Sequence, residues 1–338
     1  MQPHKLATLL SLTFTLAVAA PAQALNIVVT NDDGFEASFI HAVYQRLKAA
    51  GHSVIISAPA QDNSGQGGAL NFLRPVSTMT RDSRAGAVKA GSPGVGTMPG
   101  NTDVHYVDST PVASVLYGID VAAQAKWGKS PDLVISGINY GNNTGIINNG
   151  SGTVNAALIA INRGIPAIAA SAEAPTTYRS HDKLAAGDVE YENADIVVRI
   201  VAELDKQRAT AGGKLLPVGI GLNVNMPKFT PGAAAGLPIR FSKEGIASSA
   251  TPYFVSDLSK NAMANSYIPG GAPALPGVTL YIGGTKPANL SVLDDTDPAS
   301  EQNTVKAGAV AVTVLSVNHQ ADRAPEAAVR IKLNAIAQ

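Results

Sequence analysis

The sequence predicts an α/β protein built on a doubly wound, mostly parallel sheet. Apolar, β-branched runs alternate with segments of helical periodicity from residue 25 to about residue 227. The first two such runs flank one amphipathic segment in βαβ order, a unit whose connection is right-handed. Of the 338 residues, 45% are hydrophobic and 15% charged, a globular balance with enough apolar side chain for a well-buried core.

Residues 25–30 (LNIVVT) read as a buried parallel strand. In the following stretch, 36–50, Phe39, Ile40, Val43 and Leu47 recur at spacings of three and four, a helix with one buried face that Gly51 ends. Residues 53–57 are the second strand, and 58–71 a Gly-rich loop. Residues 72–80 read as extended, 81–103 as an exposed excursion, and 104–107 as a short strand. Thr110 and Pro111 open a helix reaching about residue 125. Strands follow at 133–136, 167–170 and 218–224, with helices at 153–162 and 194–204 and a long polar loop at 137–150. Residues 25–227 thus form the core. Gly, Pro, Ser and Asn dominate 228–304, read as a hairpin arm outside it, and 305–338 as a strand and tail returning to the body.

The N-terminus reads as a secretory signal peptide over residues 1–24. Lys5 precedes an apolar run over 6–20, Pro21 breaks it, and Ala22-Gln23-Ala24 gives a small-x-small cleavage pattern. A periplasmic or secreted location follows, with no membrane contact after cleavage. The chain lacks cysteine, which excludes disulfides, thiolate metal sites and cysteine nucleophiles. Basic and acidic residues balance at 25 each without a basic run, so no polymeric nucleic acid is expected as partner.

The chemistry concentrates where strands end. Asn31, Asp32, Asp33 and Gly34 directly follow the first strand. Adjacent carboxylates repel unless a positive group lies between them, and a hard divalent cation with oxygen ligands meets that need. In open α/β sheets ligands bind beyond the carboxyl ends of the strands. Ser64 follows the second strand and Asn139 the strand at 133–136, on the same edge. Two carboxylates, a hydroxyl and an amide oxygen suit one Mg²⁺ or Mn²⁺. Ser151, Gly152 and Thr153 open the next helix, where unpaired amides and the helix dipole favour phosphate. Taken singly, Asp-Gly also reads as a plain turn and Ser151 as an ordinary cap.

At these segments the chain resembles the SurE family of 5′/3′-nucleotidases. The family's TNDDG stands at 30–34, its PDLVxSGxNxGxN at 131–143, its SGTVxAA at 151–157 and its GIPAIAxS at 164–171. The resemblance implies a SurE-like, Rossmann-like core with Asp32, Asp33, Ser64 and Asn139 on one divalent ion per subunit, Mg²⁺ or Mn²⁺, with Ca²⁺ able to substitute in crystals. It implies phosphate or substrate contacts by Asn31, Asn143, Ser151, Gly152 and Thr153, and a homodimer or homotetramer formed through the arm. The chain departs from the family at 109–113 and at Gly150, beside the site. Hydrolysis of nucleoside monophosphates by metal-activated water follows, with Asp32 and Asp33 catalytic. The rival reading is a non-catalytic periplasmic nucleotide- or phosphate-binding protein on the same fold.

Overall fold

The computed structural model describes residues 24–173, 178–208, 213–268 and 270–318. The signal peptide read at residues 1–24 lies, but for its last residue, outside the described residues. Three elements form the predicted βαβ unit: β1 (Asn26–Thr30), α1 (Ser38–Ala49) and β2 (Ser53–Pro59). β1 shows why its residues are apolar throughout. Ile27 and Val29 join the core beneath α1, while Val28 enters the core on the opposite face. Alternate side chains of a strand point to opposite faces, so a sheet covered on both sides needs an unbroken apolar run.

β3 (Val95–Met98) and β4 (Asn101–Val107) form an antiparallel hairpin, and β4 runs parallel beside β2. Next come α2 (Pro111–Tyr117), a π turn (Gly118–Ala122) and α3 (Ala123–Trp127), which run on as one nearly continuous rod. β5 (Leu133–Tyr140), α4 (Gly152–Asn162) and β6 (Ala167–Ala172) complete the central crossover. α5 (Val189–Arg208) and β7 (Ile220–Met226) follow. β8 (Ile239–Ser242), the hairpin of β9 (Thr251–Val255) with β10 (Gly277–Tyr281), α6 (Ala262–Tyr267), α7 (Glu301–Lys306) and β11 (Val310–Ser316) finish the described chain.

The large sheet has nine strands in the order β3-β4-β2-β1-β5-β6-β7-β11-β8. The strands from β4 to β7 in that order are parallel, β3 runs antiparallel to β4 and β11 antiparallel to β7, and β8 runs parallel to β11. β1 lies between β2 and β5, so the winding reverses at β1, the crevice in which ligands of such sheets bind. α1 and α5 cover one face; α2 and α4 cover the other. Among the described residues no helix is long and apolar enough to cross a membrane.

Several expectations need correction. Residues 72–80 form no named strand; a Thr78–Pro93 bridge and the buried Met79 side chain attach them to the body. Residues 81–103 are not all excursion, since β3 and the start of β4 lie there. β5 runs on to Tyr140, so Asn139 sits in a strand and not in a loop. Neighbouring β6 supplies the reason, pairing Ser171 with Asn139 and Ala172 with Tyr140. The region 228–304 is not wholly outside the core: β8 joins the main sheet through β11, leaving β9 and β10 as the separate hairpin. Residues 305–317 begin as the end of α7 before becoming strand.

Candidate active site

The turn after β1 is shaped by its own polar residues. Asn31 Nδ2 donates to the Gly34 carbonyl (3.0 Å), and the Gly34 amide donates back to Asn31 Oδ1 (3.2 Å). Gly34 has φ +106°, a conformation suited to glycine. Asn31 is wholly buried in this role. It was expected at the substrate, but it closes the turn that presents Asp32 and Asp33.

Both carboxylates are buried, at 3% and 2% exposure. Asp32 Oδ1 accepts the Thr153 hydroxyl at 2.6 Å, and the Thr153 amide also turns to this carboxylate. Thr153 therefore differs from expectation. On the first turn of α4 its side chain points back toward the helix start and meets Asp32 instead of a phosphate. Gly152 makes this approach feasible, since a Cβ there would lie 2.7 Å from Asp32 Cβ. Asp33 accepts the amide of Tyr140, which brings the end of β5, and Asn139 with it, to the pair. Asp33 Oδ2 is buried without a hydrogen-bond partner.

Burial holds both carboxyls above the usual carboxylate range. The charge of Asp32 pushes Asp33 further up, while the Thr153 hydroxyl draws Asp32 back. The nearest cation, Arg84, gives Nη1 to the Asp33 main-chain carbonyl (2.6 Å) and pairs through Nη2 with Asp62 (3.0 Å). Its guanidinium lies over the Tyr178 ring at 3.8 Å. The carboxylates themselves have no ion-pair partner among the described residues.

The second loop reaches the pair through its backbone: the Asn63 amide donates to the Asp32 carbonyl at 2.8 Å. Ser64 is exposed. Its hydroxyl bonds Asp62 Oδ1 (2.7 Å) and approaches Tyr267 Oη (3.1 Å), and it makes no hydrogen bond to either Asp32 or Asp33. Asn139 Nδ2 donates to the Gly141 carbonyl at 2.8 Å, which leaves Oδ1 as the end open to a ligand. Asn143 is anchored on the other side: Nδ2 donates to Ser171 Oγ (3.0 Å), and its backbone pairs with the amides of Asn223 and Asn225. Ser151 caps α4, its hydroxyl accepting the Val154 amide at 3.1 Å. That hydroxyl keeps its own proton to donate.

The loops of β1 and β2, the end of β5 and the start of α4 thus converge on one buried acidic pair. Among the described residues no group of three or more His, Cys, Asp or Glu forms a metal cluster. Any cation here leans on two carboxylates and neutral oxygens, a donor set suited to a hard divalent ion. The unpartnered Asp33 oxygen, and two adjacent carboxyls that burial holds away from joint ionisation, fit that assignment.

Sequence reasoning missed Asp62, Arg84, Tyr267 and Glu301. Glu301 is fully buried and accepts from the Gly145 amide (2.9 Å) and Asn223 Nδ2 (2.8 Å), bracing the loop that carries Asn143. Asn223 and Asn225 left a readable signal, polar residues two apart in a buried apolar strand. Arg84 and Glu301 left none, because their roles arise only from distant chain segments meeting.

Residues 27–248 match the family described as survival protein SurE. An acid phosphatase of Yarrowia lipolytica is 35% identical over 60% of this chain and 56% of its own length. A 5′-nucleotidase SurE of Methanocella arvoryzae is 34% identical over 60% of this chain and 66% of its own. The chain therefore spans little more than half of the first relative and just under two thirds of the second. Among solved structures, the Sure protein from Aquifex aeolicus is similar in fold, with a TM-score of 0.59 and 23% identity over 91% of this chain and 99% of that one.

Proposed function

This chain belongs to the SurE family, and from that premise we propose that it is a divalent-metal-dependent phosphomonoesterase acting on nucleoside monophosphates. One observation carries the reading: a buried carboxylate pair at the sheet's switch point, with no ion-pair partner among the described residues. Asp32, Asp33, Asn139 and Ser64 are the oxygen donors for one Mg²⁺ or Mn²⁺, Ser64 by turning its exposed hydroxyl from Asp62. When bound, such an ion neutralises phosphoryl charge and acidifies water. Thr153 holds Asp32 in one rotamer. Asp33 Oδ2, lacking a partner, is the atom that receives a proton. The Ser151 hydroxyl and the Asn143 amide meet the phosphoryl oxygens, where preorganised donors favour the charge that builds in transfer.

A panel of phosphomonoesters assayed with Mg²⁺, Mn²⁺ and EDTA tests this. Phosphate release from nucleoside monophosphates that ceases in EDTA is expected. Undiminished turnover in EDTA, or binding without turnover in every metal, would overturn it. The apolar leader supports export to the periplasm or beyond, so the mature protein should begin at Leu25 on N-terminal sequencing. Exposed Phe241, Phe254, Leu275 and Val278 on β8 and the hairpin support a homodimer or homotetramer joined through this region, and a monomer in light scattering would refute that.

A further inference from the structure

Beside the carboxylate pair lies a second cleft of about 300 Å³. Asp62 and Asn63 form the wall it shares with the site already described, and Arg74, Arg81, Asn71 and Asp108 face it from the other sides. No aromatic or aliphatic side chain lines it, so it offers no stacking surface to a nucleobase. It is a hydrogen-bonding and charged space.

Its two arginines are unusual for this region. Arg84 pairs with Asp62 and Lys89 with Asp82, but Arg74 and Arg81 make no ion pair or side-chain hydrogen bond among the described residues. The segment bearing Arg74 is nevertheless held firmly. Asn71 Nδ2 donates to Ser109 Oγ (3.1 Å), the Thr110 hydroxyl donates to the Ala69 carbonyl (2.6 Å), and the Arg74 amide donates to the Asn71 carbonyl. Asn71 and Leu73 adopt φ +50° and +57°, backbone strain of the kind that persists where surrounding structure enforces it. Asp62 is paired with Arg84, so the charges of the cleft without an ion-pair partner among the described residues are two guanidinium groups and the carboxylate of Asp108.

We propose that this cleft is a subsite for a second anionic group on the substrate, a phosphate remote from the scissile one, with Arg74 and Arg81 as its ligands. Asp108 faces the linking sugar and accepts one of its hydroxyls. The preferred substrates are then nucleoside bisphosphates, such as a 3′,5′-bisphosphate, over the corresponding monophosphates. This rests on the phosphomonoesterase reading, but its test does not require turnover.

Adenosine 3′,5′-bisphosphate and adenosine 5′-monophosphate are titrated into the full chain in EDTA by calorimetry. The bisphosphate is expected to bind at least about tenfold more tightly. Arg74→Gln/Arg81→Gln should erase that difference and leave monophosphate binding unchanged. Equal affinities in the parent protein, or equal losses for both ligands in the variant, overturn the proposal. So does inorganic phosphate that binds alongside the monophosphate and is lost in the variant, since the cleft would then take a free anion. A separate assay of monophosphate turnover in Mn²⁺ reports on the phosphomonoesterase reading alone. Circular dichroism of the variant guards against a folding defect, and the single Arg81→Gln substitution, outside the strained segment, gives the same reading if the double variant misfolds.

Discussion

Replacing Gly152 with alanine drives a methyl group into the acidic pair. The new carbon would stand 2.7 Å from Asp32 Cβ, 3.0 Å from Asp32 Oδ2 and 2.8 Å from Pro111 Cγ. None of these neighbours yields easily. Pro111 is a ring in the first turn of α2, and Asp32 Cβ is bound directly to the main chain. Overpacking of this kind costs about 1–3 kcal/mol. The gain in helix propensity from Gly to Ala offsets at most about 1 kcal/mol of it. The cheapest relief moves Asp32 away from Thr153, stretching a 2.6 Å hydrogen bond to a charged group. We therefore expect a lower urea midpoint with an unchanged slope, and a fall in kcat/KM on a nucleoside monophosphate of at least about tenfold, since small misplacements in a site are costly. Gly150→Ala is the control. Its added carbon meets nothing nearer than 3.7 Å, and its backbone is in the right-handed helical region, so stability and rate should hold. Wild-type activity in Gly152→Ala with intact stability would refute the close approach of α4 to Asp32.

Further outcomes follow from the same contacts. Asp33→Asn should abolish metal-dependent turnover yet leave the melting temperature in EDTA no lower than the parent's, because burial and the Asp32 charge already disfavour an ionised Asp33; thermal melts with and without Mn²⁺ check both halves. Arg84→Lys cannot bridge the Asp33 carbonyl and Asp62 together, so it should lose about 1–3 kcal/mol in urea unfolding and lower turnover. Burial raises Glu301 to about 7 from an ordinary 4.5. A carboxyl raised in the folded state favours the protonated form there, so its contribution is full below pH 4.5 and is lost as pH rises through 7. That loss is about 3 kcal/mol, and Glu301→Gln should flatten the pH dependence of urea unfolding over this window.

The central fold was legible because it is buried on both faces. β1, β2, β6 and the start of β5 carry apolar runs that exposed segments do not imitate, and β7 keeps its apolar residues at alternate positions, interleaved with Asn223 and Asn225. The sheet margins were not legible. β8 is four residues with three exposed, and β3 sits in a stretch rich in Gly, Ser and Pro. In both, partner strands supply the order that local preference does not. The extension of β5 was hidden by Gly137 and Asn139, residues that read locally as loop. At the candidate site the acidic pair and the α4 cap stood out from short spacings. Asn31 and Thr153 were placed in the right neighbourhood, but their atoms go to the turn and to Asp32, an outcome set by geometry that spacing does not encode.

The insertion of β11 between β7 and β8 has a consequence for the order of assembly on the ribosome. Strands β1 to β7 emerge first and can pair with one another as they appear. β8 emerges next but has no neighbour in the large sheet until β11, one of the last described elements, is synthesised. Glu301 arrives with that closing segment, so the loop bearing Asn143 lacks its brace until nearly the whole described chain is out. Nascent chains stalled before residue 300 should resist protease through β7, yet be cleaved within 142–149.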